Sequence, residues 1–168
     1  MNAAMTTQLI DAFEFCRTGG TREGATPVAA MELLARDCAS PEGEIAWKAE
    51  GGTSKQGFPQ MRLAVRGTVQ LTCQRCLAPF AHEIDSSTLL MLGEDDAKAD
   101  EIEEVIDDET IDVIVGTRSM NLMDLIEDEA LLALPQAPKH DVCPDTALLD
   151  SVRSEKKWPF DALKALKK

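Results

Sequence analysis

An alternation of apolar and other residues over positions 61–84 constrains the fold of this chain more than any other feature. Apolar residues recur at every second position in 61–65 and 69–73, with Gly67 between these runs, and Phe80, His82 and Ile84 continue the same period. A period of two is typical of strands with one buried face. The sequence therefore predicts antiparallel strands joined by a tight turn at CQRCLAP. It also predicts a bulge or turn at Gly67.

The residues before this alternation predict a loop, a helix and a strand. Residues 16–26 are rich in Gly and Thr, which favours a loop. A helix is predicted from Pro27 to about Asp37, with Thr26 as its N-terminal cap. Residues 44–50 then alternate as another strand.

The second half adds one strand and one long helix. The sequence TIDVIV at 110–115 predicts a short strand, and 119–134 predicts a helix capped by Ser119 or Asn121 and ended by Pro135. The predicted fold class is therefore α+β: an antiparallel sheet with a few packed helices. We expect one domain over residues 1–168.

The net charge of −13 is unevenly distributed along the chain. Residues 94–112 hold eleven acids and one lysine, which predicts a long acidic loop that is mobile over 93–104. A docking site for a basic partner is the alternative interpretation of this stretch. An acidic body argues against RNA binding over a broad surface. The cations left for such contact are Arg75 and the tail residues Lys156, Lys157, Lys164, Lys167 and Lys168, beside or in a predicted short helix over 159–168.

Two of the five cysteines have the spacing of a metal knuckle. Cys73 and Cys76 form one CxxC pair, and His140 and Cys143 repeat the three-residue step after 63 intervening residues. Zinc takes four thiolate or imidazole ligands in a tetrahedron, and such steps supply two ligands each. These four residues are therefore predicted to bind one structural zinc.

Other interpretations of the cysteines remain open at this point. Cys73 and Cys76 could be a thiol–disulfide redox pair, although such pairs normally begin a helix, and this one lies between predicted strands. They could also be buried core thiols, as expected for Cys16 and Cys38. A site that has lost its metal is a further possibility. His82 is expected to be a half-buried strand residue, with metal ligand as its minority role.

Motifs of catalysis and of membrane insertion are missing from the sequence. There is no GxxxxGK[ST], GxGxxG, HExxH or GxSxG. No apolar run has transmembrane length, and the first residues do not resemble a signal peptide. We expect a cytoplasmic protein that is not an enzyme and does not contact membranes.

Three blocks of the chain resemble the YceD family of large ribosomal RNA subunit accumulation proteins. They are residues 69–84 with TCQRCLAPF, residues 119–143 with MDLIEDEALLALPQAPKH, and residues 159–167 with PFDALKALK. The resemblance implies a bacterial, cytoplasmic, non-enzymatic factor in ribosome biogenesis that supports large-subunit (23S-type) rRNA accumulation. Its implied partner is large-subunit rRNA precursor or a ribosomal protein. Many relatives carry more cysteines in the second block, which favours a metal knuckle.

Overall fold

The computed structural model describes residues 8–144, which form two sheets and four α-helices. The strands are β1 (Leu9–Ile10), β2 (Thr21–Pro27), β3 (Glu44–Thr53), β4 (Pro59–Thr72), β5 (Pro79–Gly93), β6 (Asp112–Val115) and β7 (Met120–Asn121). The helices are α1 (Ala12–Arg17), α2 (Glu32–Asp37), α3 (Asp96–Ile106) and α4 (Leu122–Leu132). Strands β2-β3-β4-β5-β6 form the main sheet in that order, and β1 pairs with β7. The α+β class is confirmed.

The alternation over 61–84 belongs to the two longest strands. Inward-facing residues of β4, from Met61 to Leu71, are buried, and β4 pairs antiparallel with β5 from Gln60 to Thr72. The predicted break at Gly67 is wrong, because β4 runs straight through it. Gly67 lies opposite Ile45 on β3, and a Cβ there would overlap the carbonyl oxygen of Glu44. The glycine therefore permits close strand packing and does not interrupt the strand.

The predicted loop and helix before β3 are wrong in part. Residues 21–27 form strand β2 at the edge of the sheet, and the helix is split into a short 3₁₀ turn, Val28–Ala30, and α2. Thr26 does not cap a helix; its hydroxyl accepts a hydrogen bond from the indole Nε1 of Trp47 at 3.0 Å. Nearly all of β2 is exposed, so its sequence lacks the apolar alternation that reveals a strand.

The predicted acidic loop contains helix α3. Asp95 caps it by accepting a hydrogen bond from the backbone N–H of Lys98 at 2.8 Å, and Ala99 and Ile102 are buried. The helix connects β5 to β6, which lie parallel to each other. A parallel pair needs a crossover connection, usually a helix. The predicted antiparallel pairing therefore holds from β2 to β5, whereas the parallel placement of β6 was not predicted.

The main core lies between the sheet and helices α1, α2 and α4. It includes Phe15 of α1, Leu34 of α2 and Ile126 of α4 together with inward residues of β3, β4 and β5. Asn121 caps α4 by accepting from the backbone N–H of Met123 at 3.3 Å, as predicted for one of two candidates. Helix α4 ends at Leu132, and the chain then leads to the second half of the cysteine pattern.

Candidate metal centre

The six residues between β4 and β5 hold the CxxC pair, Cys73 and Cys76. Thr72 pairs with Pro79, so residues 73–78 connect the two strands. The N–H of Cys73 donates to the carbonyl of Ala78 at 3.0 Å, and the N–H of Leu77 donates back to the carbonyl of Cys73 at 2.9 Å. Leu77 has a left-handed backbone, with φ at 62°. These contacts close the turn and direct both thiols into the protein, where both are buried.

The segment after α4 folds back onto this turn. Residues 135–144 contain no helix or strand, and the N–H of Gln74 donates to the carbonyl of Pro138 at 2.9 Å. The guanidinium of Arg75 donates to the carbonyl of His140, and to that of Asp141 at 3.4 Å. The ring of His140 packs on Phe80 of β5, with ring centroids 4.9 Å apart. The fold of residues 135–144 onto the turn therefore depends mainly on hydrogen bonds to their backbone carbonyls. Because such bonds leave no pattern in the sequence, the spacing of the cysteines and His140 could only suggest that the two segments meet.

Four side chains converge where the two segments meet. The Sγ atoms of Cys73, Cys76 and Cys143 and a ring nitrogen of His140 all lie within 4.8 Å of one another. Cys73 Sγ and Cys143 Sγ are 3.8 Å apart, and Cys76 Sγ is 3.4 Å from His140 Nδ1. The four residues lie close enough to bind one metal ion.

The donor set and two of its distances are those of a tetrahedral zinc site. Bonds of about 2.3 Å to sulfur and about 2.0 Å to nitrogen place two sulfurs ~3.8 Å apart, and a sulfur and a nitrogen ~3.5 Å apart. The separations of 3.8 Å between Cys73 Sγ and Cys143 Sγ and of 3.4 Å between Cys76 Sγ and His140 Nδ1 match these edges. Three thiols and one imidazole also favour zinc over calcium or magnesium, because those two ions take oxygen ligands.

The surroundings of the cluster favour ionisation of the Cys73 thiol and disfavour ionisation of the Cys143 thiol. Burial alone would raise the pKa of Cys73, but backbone N–H groups of Cys76, His140 and Arg75 and the side chain of His140 outweigh it and lower the pKa to about 5. Burial and hydrogen bonds with Cys76 and Cys73 raise the pKa of Cys143 to about 11. A divalent cation removes this conflict, because a coordinated thiol loses its proton.

Other residues singled out in the sequence lie away from this cluster. His82 is half-buried on β5 opposite Val69, as expected for a strand residue, and it does not join the cluster. Cys16 is buried in the main core, and Cys38 packs against it. The five tail lysines and the predicted helix over 159–168 lie outside the described residues. Sequence reasoning missed Phe80 as a support for His140, because one aromatic residue in a strand carries no such signal.

Between residues 8 and 144, no helix combines the length and apolarity needed to cross a membrane.

A family model described as "Large ribosomal RNA subunit accumulation protein YceD" matches residues 61–167. The match spans more than half of the chain and includes β4, β5, α4 and all four residues of the cluster. No solved structure matches the chain.

Proposed function

The chain belongs to the YceD family and has a role in accumulation of large-subunit ribosomal RNA, and from that premise we propose that it acts as a non-enzymatic binding factor with one structural zinc. Its partner in this proposal is the large-subunit rRNA precursor or a ribosomal protein. The zinc is held by Cys73, Cys76, His140 and Cys143. The observation that carries the proposal is the convergence of these four ligand atoms within 4.8 Å.

A structural role for the metal follows from the number and burial of the ligands. Catalytic zinc keeps an open position for water or substrate, whereas structural zinc has four protein ligands. Here four protein donors are available, and Cys73 and Cys76 are buried. A metal would join the β4–β5 turn to residues 135–144, which otherwise have no regular structure. Its contribution is to fix the shape of this end of the sheet.

The thiol redox alternative is not favoured. The family description names an rRNA role, and the CxxC pair lies between strands and not at the start of a helix. A thiol titration with and without chelator separates the two functions. Zinc-bound protein should show its cluster thiols only after chelation. An easily oxidised pair that is equally reactive in both conditions would support redox chemistry.

Complementation tests the rRNA role and the zinc together. In a bacterial strain lacking its own YceD-family gene, the parent chain should restore the ratio of large- to small-subunit rRNA. Cys73→Ser should fail to restore it, whereas Cys38→Ser should succeed, since Cys38 lies outside the cluster. Immunoblotting must show how much of each variant accumulates. A parent chain that leaves the ratio unrestored would overturn the proposed role, and full restoration by Cys73→Ser would overturn the need for zinc.

A further inference from the structure

Two large apolar side chains are exposed directly beside the metal ligands. Leu77, which follows Cys76, is 67% exposed, and Val142, which precedes Cys143, is 85% exposed. They are two of the three most exposed large hydrophobic side chains in residues 8–144. Because each is one residue from a ligand, the fixed geometry of the cluster also fixes where these two side chains attach.

The backbone of Leu77 makes its identity unusual. A φ of 62° is left-handed, a region that glycine and asparagine adopt readily and leucine avoids. Neither the backbone nor burial accounts for a leucine here, since the conformation disfavours it and its side chain faces solvent. A residue held in such a conformation points to function when packing does not explain it.

Two cations belong to the same turn and segment as this apolar pair. Arg75 and Lys139 are exposed, and the guanidinium of Arg75 is held by the carbonyls of His140 and Asp141. We call the surface formed by Leu77, Val142, Arg75 and Lys139 the knuckle tip. Its cations are positioned by the same turn and segment that carry the metal ligands.

The densest run of acidic residues lies at the opposite end of β5. This strand runs from Pro79, beside the cluster, to Gly93, where residues 94–112 begin with their eleven acids and one lysine. Fifteen residues of strand separate the ends by ~45 Å, which is several Debye lengths at physiological ionic strength. A polyanion is therefore repelled from the α3 end, whereas among residues 73–78 and 135–144 the one acidic residue, Asp141, is outnumbered by Arg75 and Lys139.

We propose that the knuckle tip is a contact site for an unpaired strand of RNA, an inference that rests on the proposed rRNA function. Leu77 and Val142 pack against the face of an unstacked base, and Arg75 and Lys139 contact the neighbouring phosphates. Apolar side chains can reach base faces only where bases are splayed out, because a paired A-form helix keeps them stacked. The small footprint and the cationic rim fit a single strand better than a protein surface, which needs a larger apolar patch.

Fluorescence anisotropy on the full, zinc-loaded chain tests this inference. The probes are a labelled single-stranded RNA of about 12 nucleotides and mixed sequence, and the same RNA annealed to its complement. Leu77→Asn with Val142→Ser should weaken single-strand binding about tenfold, because the double variant loses the apolar surface that the base would cover. Asparagine tolerates the left-handed backbone, so the turn is retained. Leu132→Gln is the matched control, since Leu132 is 79% exposed at the end of α4 and is not adjacent to a ligand in the chain, and it should leave binding unchanged.

The salt dependence identifies the phosphate contacts. Lys139→Gln should lower the slope of log affinity against log salt by about 0.7, the value for one phosphate of a single strand. Unchanged single-strand affinity in a double variant that retains its zinc would overturn the inference, as would equal affinity for the duplex. Loss of binding to protein-containing large-subunit particles, with RNA affinity unchanged, would assign the tip to a ribosomal protein and also overturn it. A parent chain that restores rRNA in cells but does not bind the single strand would refute this inference alone.

Discussion

The Sγ atoms of Cys73 and Cys143 lie 3.8 Å apart although 70 residues separate them in the chain. One belongs to the turn between β4 and β5, and the other belongs to an irregular segment after α4. Hydrogen bonds from Gln74 and Arg75 bring that segment back to the turn. The two half-sites therefore form one centre because the backbone is tied at several points beside the thiols.

Loss of one ligand should destabilise the protein far more than loss of another thiol. We expect Cys73→Ser to lower the melting temperature by at least about 10 °C, because structural zinc contributes several kcal/mol to folding. Cys38→Ser should change it by only a few degrees at most, since Cys38 is half-buried and outside the cluster. Thermal unfolding with and without chelator is the measurement. Equal melting temperatures for the two variants would contradict the prediction.

The metal-free protein should contain one unusually acidic thiol. The pKa of Cys73 is lowered from 9.0 to about 5, so its ionisation stabilises the fold above pH 9 in full and is lost as pH falls from about 9 through 5. Cys143 shifts the other way, to about 11, and its contribution is lost as pH rises from about 9 through 11. The combined contribution of these two thiols to the stability of the metal-free form should therefore be greatest near pH 9.

The ultraviolet absorbance of the thiolate, followed during a pH titration of the metal-free protein, measures the pKa of the acidic thiol directly. One thiol should titrate near pH 5 in the metal-free protein, and that step should be absent from Cys73→Ser. If the step persists in the variant, another cysteine carries the low pKa.

A buried carboxylate joins two helices at the side of the core. Glu127 of α4 accepts hydrogen bonds from the backbone N–H groups of Leu33 and Leu34, at 2.7 and 3.1 Å, at the start of α2. We expect Glu127→Ala to cost about 1–3 kcal/mol, because it leaves two N–H groups without their acceptor. The exposed neighbour Asp128→Ala should cost less than about 0.5 kcal/mol. Urea unfolding compares them, and similar midpoints would show that this contact does not support α2.

Helix α3 should be protected from amide exchange, but less than β4. Only Ala99 and Ile102 of α3 are buried, and Asp95 caps its first turn. Asp95→Ala should speed exchange in 96–100, since losing such a cap costs about 1 kcal/mol. Asp100→Ala, on an exposed position within the helix, is the control. Exchange over 96–106 as fast as in an unstructured peptide would support the mobile loop predicted from charge alone.

The sequence predicted those elements whose burial has a regular period. Alternation revealed β4 and β5, helical spacing revealed α4, and the repeated three-residue steps brought Cys73 and His140 into one predicted centre. Elements without such a period were missed. Strand β2 is exposed at the sheet edge, and α3 buries only Ala99 and Ile102 within a stretch, 94–112, that holds eleven acids, so composition suggested loops for both. The parallel placement of β6 followed only once α3 was recognised as a crossover.

The contacts that hold the metal centre together could not be predicted from the sequence, for a different reason. The contact between Gln74 and Pro138 uses backbone groups, and the stacking of Phe80 on His140 depends on tertiary geometry. Neither leaves a pattern in the chain. The ligands of such a centre can be predicted from spacing, whereas the contacts that bring them together require the fold.

Elemental analysis of protein purified without chelators tests the central claim most directly. The four ligand atoms converge on one point, so we predict about one zinc per chain, lost completely in the Cys73→Ser, Cys143→Ser double variant and retained in Cys38→Ser. A content below about a tenth of a zinc per chain in the parent protein, after growth with ample zinc, would contradict the account.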